Sequence, residues 1–275
     1  MTRQWLYTVR NKLQVVRKGY ADTPKGQIHY MEAGQGQPLL LLHQTPRSTD
    51  EFAEVVPILA KAGFRAIAMD TVGFGESYRL NGNHSIETYA RGVVDFLDAM
   101  KLQSIFLVGH HTGAVIAVEV AVMQPQRIKK LVLSACPYYD SARRAEASKH
   151  PVMDGDEESE DGSYLVKLWQ RRQGFYPKGR IDLLRRFMGD ALLAGEGRVL
   201  GHQAVRDYPI DEKYGRIQCP TLLVCATEDP FSFPVQSKVS SKIPNSKLVP
   251  IPGGTVAAAD QMPEEFAHSF ISFLS

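Results

Sequence analysis

Cysteine is scarce in this chain of 275 residues, which has only Cys136, Cys219 and Cys225. Each of the three lies in or beside an apolar segment, and their odd number and spacing suit neither a disulfide framework nor a metal site. They are typical of buried free thiols in a reducing cytoplasm. No apolar run approaches the roughly 20 residues that cross a bilayer, and residues 1–20 carry charges throughout, which predicts no signal peptide. We therefore expect a cytoplasmic protein without a membrane partner.

The chain also lacks an excess of charge of either sign. It has 32 Lys and Arg residues against 30 Asp and Glu residues, and no basic cluster is interleaved with aromatic side chains. Such a balance argues against nucleic acid as a partner. His29, His84, His150 and His268 are typical of surface or turn residues, and no pair of them has the spacing of metal ligands. We expect no metal site.

The segment 105–113 reads I-F-L-V-G-H-H-T-G and precedes an apolar, helix-compatible segment, 114–123. Its four apolar residues predict a buried strand that ends at Gly109. A strand, a tight turn and a helix with this glycine spacing are the context of the G-x-S-x-G nucleophile elbow, where Gly109 and Gly113 would permit a strained backbone and close packing. His111 stands at the central position in place of serine.

Apolar runs that predict strands alternate with segments of helical periodicity along most of the chain. This alternation indicates an α/β protein with a mostly parallel eight-stranded sheet and helices on both faces. The predicted strands are 12–17, 27–32, 38–42, 65–69, 105–108, 130–134, 221–225 and 247–251, and the predicted helices include 50–61 with Thr49 as its cap, a helix opening at Ser85, 114–123 and 263–274. Residues 137–209 break the rhythm and predict a helical cap inserted into a core of residues 1–136 and 210–275. Within the cap, the acidic run 154–161 is expected to be a solvated loop.

Four further segments carry a resemblance to the α/β-hydrolase superfamily. His43-Gln44 stands where a His-Gly pair commonly precedes the oxyanion-hole loop, and 70–77 matches a D-x-x-G-x-G-x-S turn. Segment 220–229 resembles the strand and loop that bear the acid, and 251–266 resembles the segment that carries the catalytic histidine. The chain resembles in particular the capped branch that includes epoxide hydrolases, haloalkane dehalogenases and small esterases or lactonases. The resemblance implies a small-molecule substrate and no cofactor, and it leaves a homodimer open.

Two departures from the family pattern change the expected chemistry. His111 stands at the nucleophile position, and Val256 stands where the catalytic histidine is expected, with no histidine between residues 255 and 260. A serine mechanism needs both the hydroxyl and the base. Of the family triad only the acid, Asp229, is matched, and Gln44 replaces the usual glycine of the oxyanion region.

The resemblance implies roles for the remaining positions. His111 is expected to act as a general base, since a neutral imidazole accepts a proton near pH 7. The expected oxyanion donors are the backbone N–H of Thr112 and that of Gln44 or Thr45. Asp229 either reaches His111 through water or caps its own loop. The further pocket candidates are His43, Arg47, His110, Tyr138, Tyr139, His202 and Val256.

Some of these candidates have a structural alternative. His110 occupies the elbow position that usually points into the surrounding packing, and Arg47 is either a carboxylate ligand at the pocket mouth or a solvated surface residue. Asp260 is a substitute acid in the loop without histidine. The expected function is hydrolysis of a small ester or lactone. The alternatives are lyase or isomerase chemistry in the same pocket, and ligand binding without catalysis.

Overall fold

The eight strands form one sheet, seen here in a computed structural model that describes residues 15–82 and 84–275. In chain order they are β1 (Arg17–Thr23), β2 (Gly26–Ala33), β3 (Pro38–Leu42), β4 (Arg65–Met69), β5 (Ile105–His110), β6 (Ile128–Ser134), β7 (Thr221–Ala226) and β8 (Ser246–Ile251). Their order across the sheet is β1-β2-β4-β3-β5-β6-β7-β8. The β1–β2 and β2–β4 pairs are antiparallel and the others are parallel. The predicted fold class is confirmed.

Helices cover both faces of the sheet. The helices are α1 (Val55–Lys61), α2 (Ile86–Ala99), α3 (Thr112–Met123), α4 (Ser141–Ala147), α5 (Ser163–Gln173), α6 (Ile181–Ala194), α7 (Gly197–Asp207), α8 (Gln236–Lys242), α9 (Ala258–Gln261) and α10 (Pro263–Leu274). Leu40 and Leu42 of β3 pack in one core with α2 and α3, whereas Leu39 and Leu41 pack in the other with α1 and α10. Because alternate residues of β3 meet different layers, the whole run must be apolar.

Between β6 and β7 the chain leaves the sheet and forms an insert, residues 135–220, that contains α4 to α7. A small apolar cluster joins two of its helices through Leu168, Leu184 and Phe187. The carboxyl ends of the central parallel strands point toward this insert, where α/β sheets bind their ligands.

Three local expectations are wrong. Of the predicted strand 12–17, residues 12–14 lie outside the described residues, residues 15 and 16 are not in a strand, and Arg17 is the first residue of β1. The predicted helix 50–61 is a 3₁₀ turn followed by α1, and Ser48 Oγ, not Thr49, accepts the capping N–H from Asp50. The polar pairs that hold this turn outweigh the helical periodicity of the sequence.

In the part of the chain that the structure describes, no helix has both the length and the apolar character needed to cross a bilayer.

Candidate active site

His111 lies at the sharp turn between β5 and α3. Its backbone has φ +48° and ψ −111°, a sparsely populated positive-φ conformation that costs a residue with a Cβ of order 1–3 kcal/mol. A Cβ on Gly109 would lie 2.2 Å from the carbonyl oxygen of Gly113, and one on Gly113 would lie 2.0 Å from that of Leu42. Only glycine fits at these two positions, which explains the spacing of the motif.

Asp229, in the loop after β7, directly faces His111. Nε2 of His111 and Oδ2 of Asp229 are 3.0 Å apart, within ion-pair range although without the alignment of a hydrogen bond. The other carboxylate oxygen accepts the N–H groups of Phe231 at 2.9 Å and Ser232 at 3.0 Å. Burial by itself raises the pKa of Asp229, but the His111 ring and the two N–H groups outweigh it and lower that pKa to about 2. Asp229 is therefore a carboxylate at neutral pH, oriented toward His111.

Two of the three expected oxyanion donors already have acceptors. The N–H of Gln44 donates to Oε2 of Glu51 at 3.0 Å, and the N–H of Thr45 donates to Oγ1 of Thr112 at 3.2 Å. The N–H of Thr112 lies in the first turn of α3, where backbone donors have no helical acceptor, and it has none elsewhere in residues 15–82 and 84–275. Of the three donors, the Thr112 N–H is the one left without an acceptor among the described residues.

A cavity of about 460 Å³ lies between the sheet and the insert, with His111 in its wall. Of the residues singled out by the sequence, those that line it are Gln44, Thr45, His111, Thr112, Tyr139, His202 and Val256. Apolar side chains such as Met153, Val205 and Phe231 make up much of the remaining wall. A space of this size and character accommodates a small, largely apolar molecule.

Four other pocket candidates, His43, Tyr138, His110 and Arg47, are buried outside the cavity wall. His43 donates from Nδ1 to the Gln44 carbonyl at 2.9 Å and accepts the Thr71 N–H on Nε2 at 2.9 Å. Tyr138 is buried, with its ring stacked on that of Tyr214 at 6.4 Å. Both side chains serve the packing of the core.

His110 is the third of these residues. Its Nε2–H donates to the Val256 carbonyl at 3.1 Å, so its Nδ1 must accept the Ser134 hydroxyl proton at 2.9 Å. Burial and the neighbouring His111 ring lower the pKa of His110 to about 3. Ser134 and His110 are each 1% exposed, so this serine–histidine pair is sealed from solvent.

Arg47 is neither a surface residue nor part of the cavity wall. Its guanidinium is fully buried and contacts Asp190 of α6 at 2.6 Å and Asp260 of α9 at 2.7 Å. Asp260, the expected substitute acid, is therefore a structural partner of Arg47. The Glu51 carboxylate is 3.9 Å away, and burial raises its pKa to about 7 although Arg47 opposes the shift. This charge cluster ties the insert to the loops after β3 and β8.

Several residues of the cavity wall were not expected from the sequence. His150 and Arg143 line it from the segment around α4, and Arg172 lines it from α5. Asp154, expected in a solvated loop, is fully buried against Arg172. The sequence offers no local signal for this pair, because the two residues are 18 positions apart with no regular periodicity between them. Among the residues that the structure describes, no group of three or more metal-ligating side chains is gathered at one point.

Comparison with known proteins gives consistent results. A family model described as alpha/beta hydrolase fold matches residues 37–258. Haloalkane dehalogenase 2 of Mycobacterium tuberculosis is 31% identical over 128 residues, which are 46% of this chain and 44% of the dehalogenase. The 2-hydroxy-6-oxo-6-(2'-aminophenyl)hexa-2,4-dienoic acid hydrolase of Metapseudomonas resinovorans is 27% identical over 259 residues, 90% of this chain and 88% of that protein.

Among solved structures, a bromoperoxidase from Bacillus anthracis superposes with a TM-score of 0.80 at 23% identity, covering 94% of this chain and 99% of the other. At that identity the likeness concerns the fold alone. The chain spans less than half the length of the dehalogenase that it matches.

Proposed function

The chain belongs to the α/β-hydrolase fold family, and from that premise we propose that it hydrolyses a small ester or lactone with His111 as general base. The observation that carries the proposal is the pair formed by His111 and Asp229 in the wall of a cavity of about 460 Å³. A carboxylate that faces one nitrogen of an imidazole orients the ring and stabilises the imidazolium that forms when the ring accepts a proton.

In this proposal the two ring nitrogens of His111 have different tasks. Nε2 faces Asp229, which leaves Nδ1 as the nitrogen that takes a proton from water. The hydroxide so formed adds to the substrate carbonyl carbon, and the carbonyl oxygen becomes an oxyanion. When this intermediate collapses, the C–O bond to the leaving group breaks and the imidazolium returns its proton to the departing alkoxide. No covalent bond between enzyme and substrate is needed in this sequence.

The N–H of Thr112 is the oxyanion donor in this proposal. It belongs to the first turn of α3, where the helix dipole also favours negative charge. The relative from Metapseudomonas resinovorans, which the chain matches over most of both lengths, is named as a hydrolase of a dienoic acid. That likeness supports a carbonyl compound as substrate, although the chemistry at His111 must differ from serine catalysis.

A second candidate is proton abstraction beside a carbonyl, as in a lyase or isomerase. The engagement of the Gln44 and Thr45 N–H groups favours it, because a tetrahedral oxyanion is usually held by two donors. Here Nδ1 of His111 would remove a proton from carbon and leave an enolate oxygen beside the Thr112 N–H. A ligand-binding protein without catalysis is the remaining alternative.

The experiment follows the release of p-nitrophenolate from p-nitrophenyl acetate, and of acid from γ-butyrolactone. We expect turnover by the wild-type protein and a loss of about 10² to 10⁴-fold in His111→Ala. His268→Gln is the control, because His268 is exposed on α10 away from the cavity. Full activity in His111→Ala would contradict the proposed role. If neither compound is hydrolysed, exchange of deuterium from D₂O into a cyclic ketone tests the proton-abstraction alternative.

A further inference from the structure

A second histidine, His202 of α7, faces the same cavity from the insert and is held by two buried charged residues. Asp154 is fully buried with φ +60°, a conformation that side chains rarely adopt. Arg172 is 5% exposed and forms a two-point pair with it, Nε donating to Oδ1 at 3.0 Å and Nη2 donating to Oδ2. Burying such a pair costs desolvation energy, so the pair is a weak source of stability. Because its two-point geometry is fixed, the pair can position a third side chain.

The contact between Arg172 and His202 favours one of the two positions of the imidazole proton. Nη2 of Arg172 is 3.0 Å from Nε2 of His202. A guanidinium has only donors, so Nε2 must present its lone pair. Oδ2 of Asp154 is also 3.3 Å from Nε2, but a proton placed there would leave two N–H groups facing each other at 3.0 Å. The Arg172 contact is the shorter of the two and favours a neutral ring with its proton on Nδ1.

The surroundings keep this imidazole neutral. Burial lowers the pKa of His202, and although Asp154 opposes the shift, the pKa remains below the ordinary value. The charged and titratable groups around the ring are Arg172 of α5, Asp154 of the preceding loop and His111 of the elbow. Within residues 15–82 and 84–275 the hydrogen bond of the His202 ring is made at Nε2 and none is made at Nδ1, and the ring lines the cavity.

We infer that His202 is a second catalytic histidine, whose Nδ1–H donates to the substrate oxygen that gains negative charge while His111 removes the proton. The inference rests on the proposed function and names the feature that a substrate must have, a carbonyl oxygen exposed to the insert. It supplies the second donor that the engaged N–H groups of Gln44 and Thr45 do not provide. Asp154 and Arg172 are positioning residues, since they act through His202.

Nuclear magnetic resonance of the intact protein tests the position of the proton without any substrate. Long-range ¹H–¹⁵N spectra of ¹⁵N-histidine-labelled protein at pH 7, with His202 assigned from its loss in His202→Gln, are expected to show a neutral ring protonated on Nδ1. A proton on Nε2, or on both nitrogens, would overturn the inference. In Arg172→Met the proton should move to Nε2, where Asp154 can accept it. Arg198→Met is the matched control, because Arg198 donates to the Asp154 backbone carbonyl and not to the ring.

Kinetics with p-nitrophenyl acetate test the donation itself. An asparagine amide extends about as far as Nδ1 of histidine, and a glutamine amide about as far as Nε2. We expect His202→Gln to lower kcat about 10²-fold, the usual cost of one oxyanion donor, with KM changed less than about threefold. The kcat of His202→Asn should be about tenfold higher than that of His202→Gln, and the kcat of His268→Gln should match the wild type.

The two proposals can fail separately. Unchanged kcat in His202→Gln, or equal losses in the Asn and Gln variants, would overturn the role of His202 while leaving the role of His111 intact. A wild-type protein that does not hydrolyse the ester would contradict the proposed hydrolase function, and the tautomer seen in the spectra would then decide the inference about His202 on its own.

Discussion

Oδ2 of Asp229 lies 3.0 Å from Nε2 of His111, while Oδ1 of the same carboxylate accepts two backbone N–H groups. The pair should therefore behave as one catalytic unit, because the carboxylate is fixed and the imidazole turns against it. We expect Asp229→Asn and His111→Ala to lower kcat/KM for p-nitrophenyl acetate by comparable factors. The double variant should lose about as much kcat/KM as His111→Ala alone, because the effects of groups that act together do not multiply. Losses that multiply would mean that the two residues contribute independently.

A fluorophosphonate probe should label no serine of the folded protein. The hydroxyl of Ser134 has an imidazole partner in His110, but both residues are buried behind the elbow. Ser232 lies in the cavity wall but contributes its backbone N–H to Asp229. Mass spectrometry of the probe-treated protein checks this, with His111→Ser as a comparison that puts a hydroxyl at the elbow. Stoichiometric, activity-abolishing modification of a serine in the wild-type protein would contradict catalysis by His111.

The sequence predicted the elbow correctly because its determinants are local. A Cβ on Gly109 would clash with Gly113, four residues further along, and a Cβ on Gly113 would clash with Leu42 of the neighbouring strand. The apolar run before the two glycines is typical of a strand that is buried on both faces. For Asp229 the sequence leaves two alternatives, contact with His111 through water or a cap on its own loop. The structure shows the loop cap, and it shows Oδ2 directly 3.0 Å from Nε2 of His111, which depends on how the loop after β7 folds over the elbow. Spacing in the sequence carries no information about that distance.

The buried charge clusters are the features of the structure that the sequence predicts least well. Arg47 was expected at the pocket mouth or in solvent, yet it is buried against Asp190, a residue 143 positions further along the chain. Asp154 was expected in solvent and is buried against Arg172. A charged side chain is by itself a signal of exposure, and only a distant partner of opposite charge reverses that signal. Arg143, His150 and Arg172 of the insert also line the cavity and were missed for the same reason.

The buried His110 should make the protein less stable in acid. Its pKa in the folded state is about 3 against an ordinary value of 6.5, so between these pH values the unfolded chain binds one more proton at this position. The free energy of unfolding should therefore decrease as the pH falls from 6.5 toward 3, by up to about 1.4 kcal/mol per pH unit from this residue.

Urea unfolding at several pH values checks the contribution of His110. In His110→Gln, whose amide can still donate to the Val256 carbonyl, the unfolding free energy should depend less steeply on pH than in the wild type. His268→Gln is the control, because His268 is exposed on α10. Parallel curves for wild type and His110→Gln would contradict the prediction.

Replacing Arg47 should destabilise the protein far more than replacing an arginine in a partly exposed pair. Arg47→Met leaves Asp190 and Asp260 buried without a counter-charge, and losing one partner of a buried pair costs about 3–5 kcal/mol. Arg65→Met, which breaks the partly exposed pair with Glu32, should cost about 1 kcal/mol or less. Calorimetry or urea unfolding measures both. Similar losses in the two variants would mean that the buried cluster contributes no more than a surface ion pair.

The last prediction concerns restoring a serine triad on this scaffold. Asp229 is in place, His111 occupies the elbow, and Val256 lines the same cavity. His111→Ser alone should give little ester hydrolysis, because a serine hydroxyl is a poor nucleophile without a base. Val256→His alone should also do little for nucleophilic catalysis, since it has no hydroxyl to activate. His111→Ser/Val256→His frees the Asp229 carboxylate for the new imidazole, so its rate with p-nitrophenyl acetate should far exceed the product of the single effects, and a fluorophosphonate should then label residue 111. The Gln44 N–H remains engaged by Glu51, so the activity should stay below that of a complete triad with two oxyanion donors.

The matched controls are the same double variants with the histidine at residue 255 or 257 instead of 256, which test which residue of the loop faces the elbow. If none of the three double variants exceeds its single variants, the loop after β8 does not present a side chain to the elbow in the way that the family pattern implies.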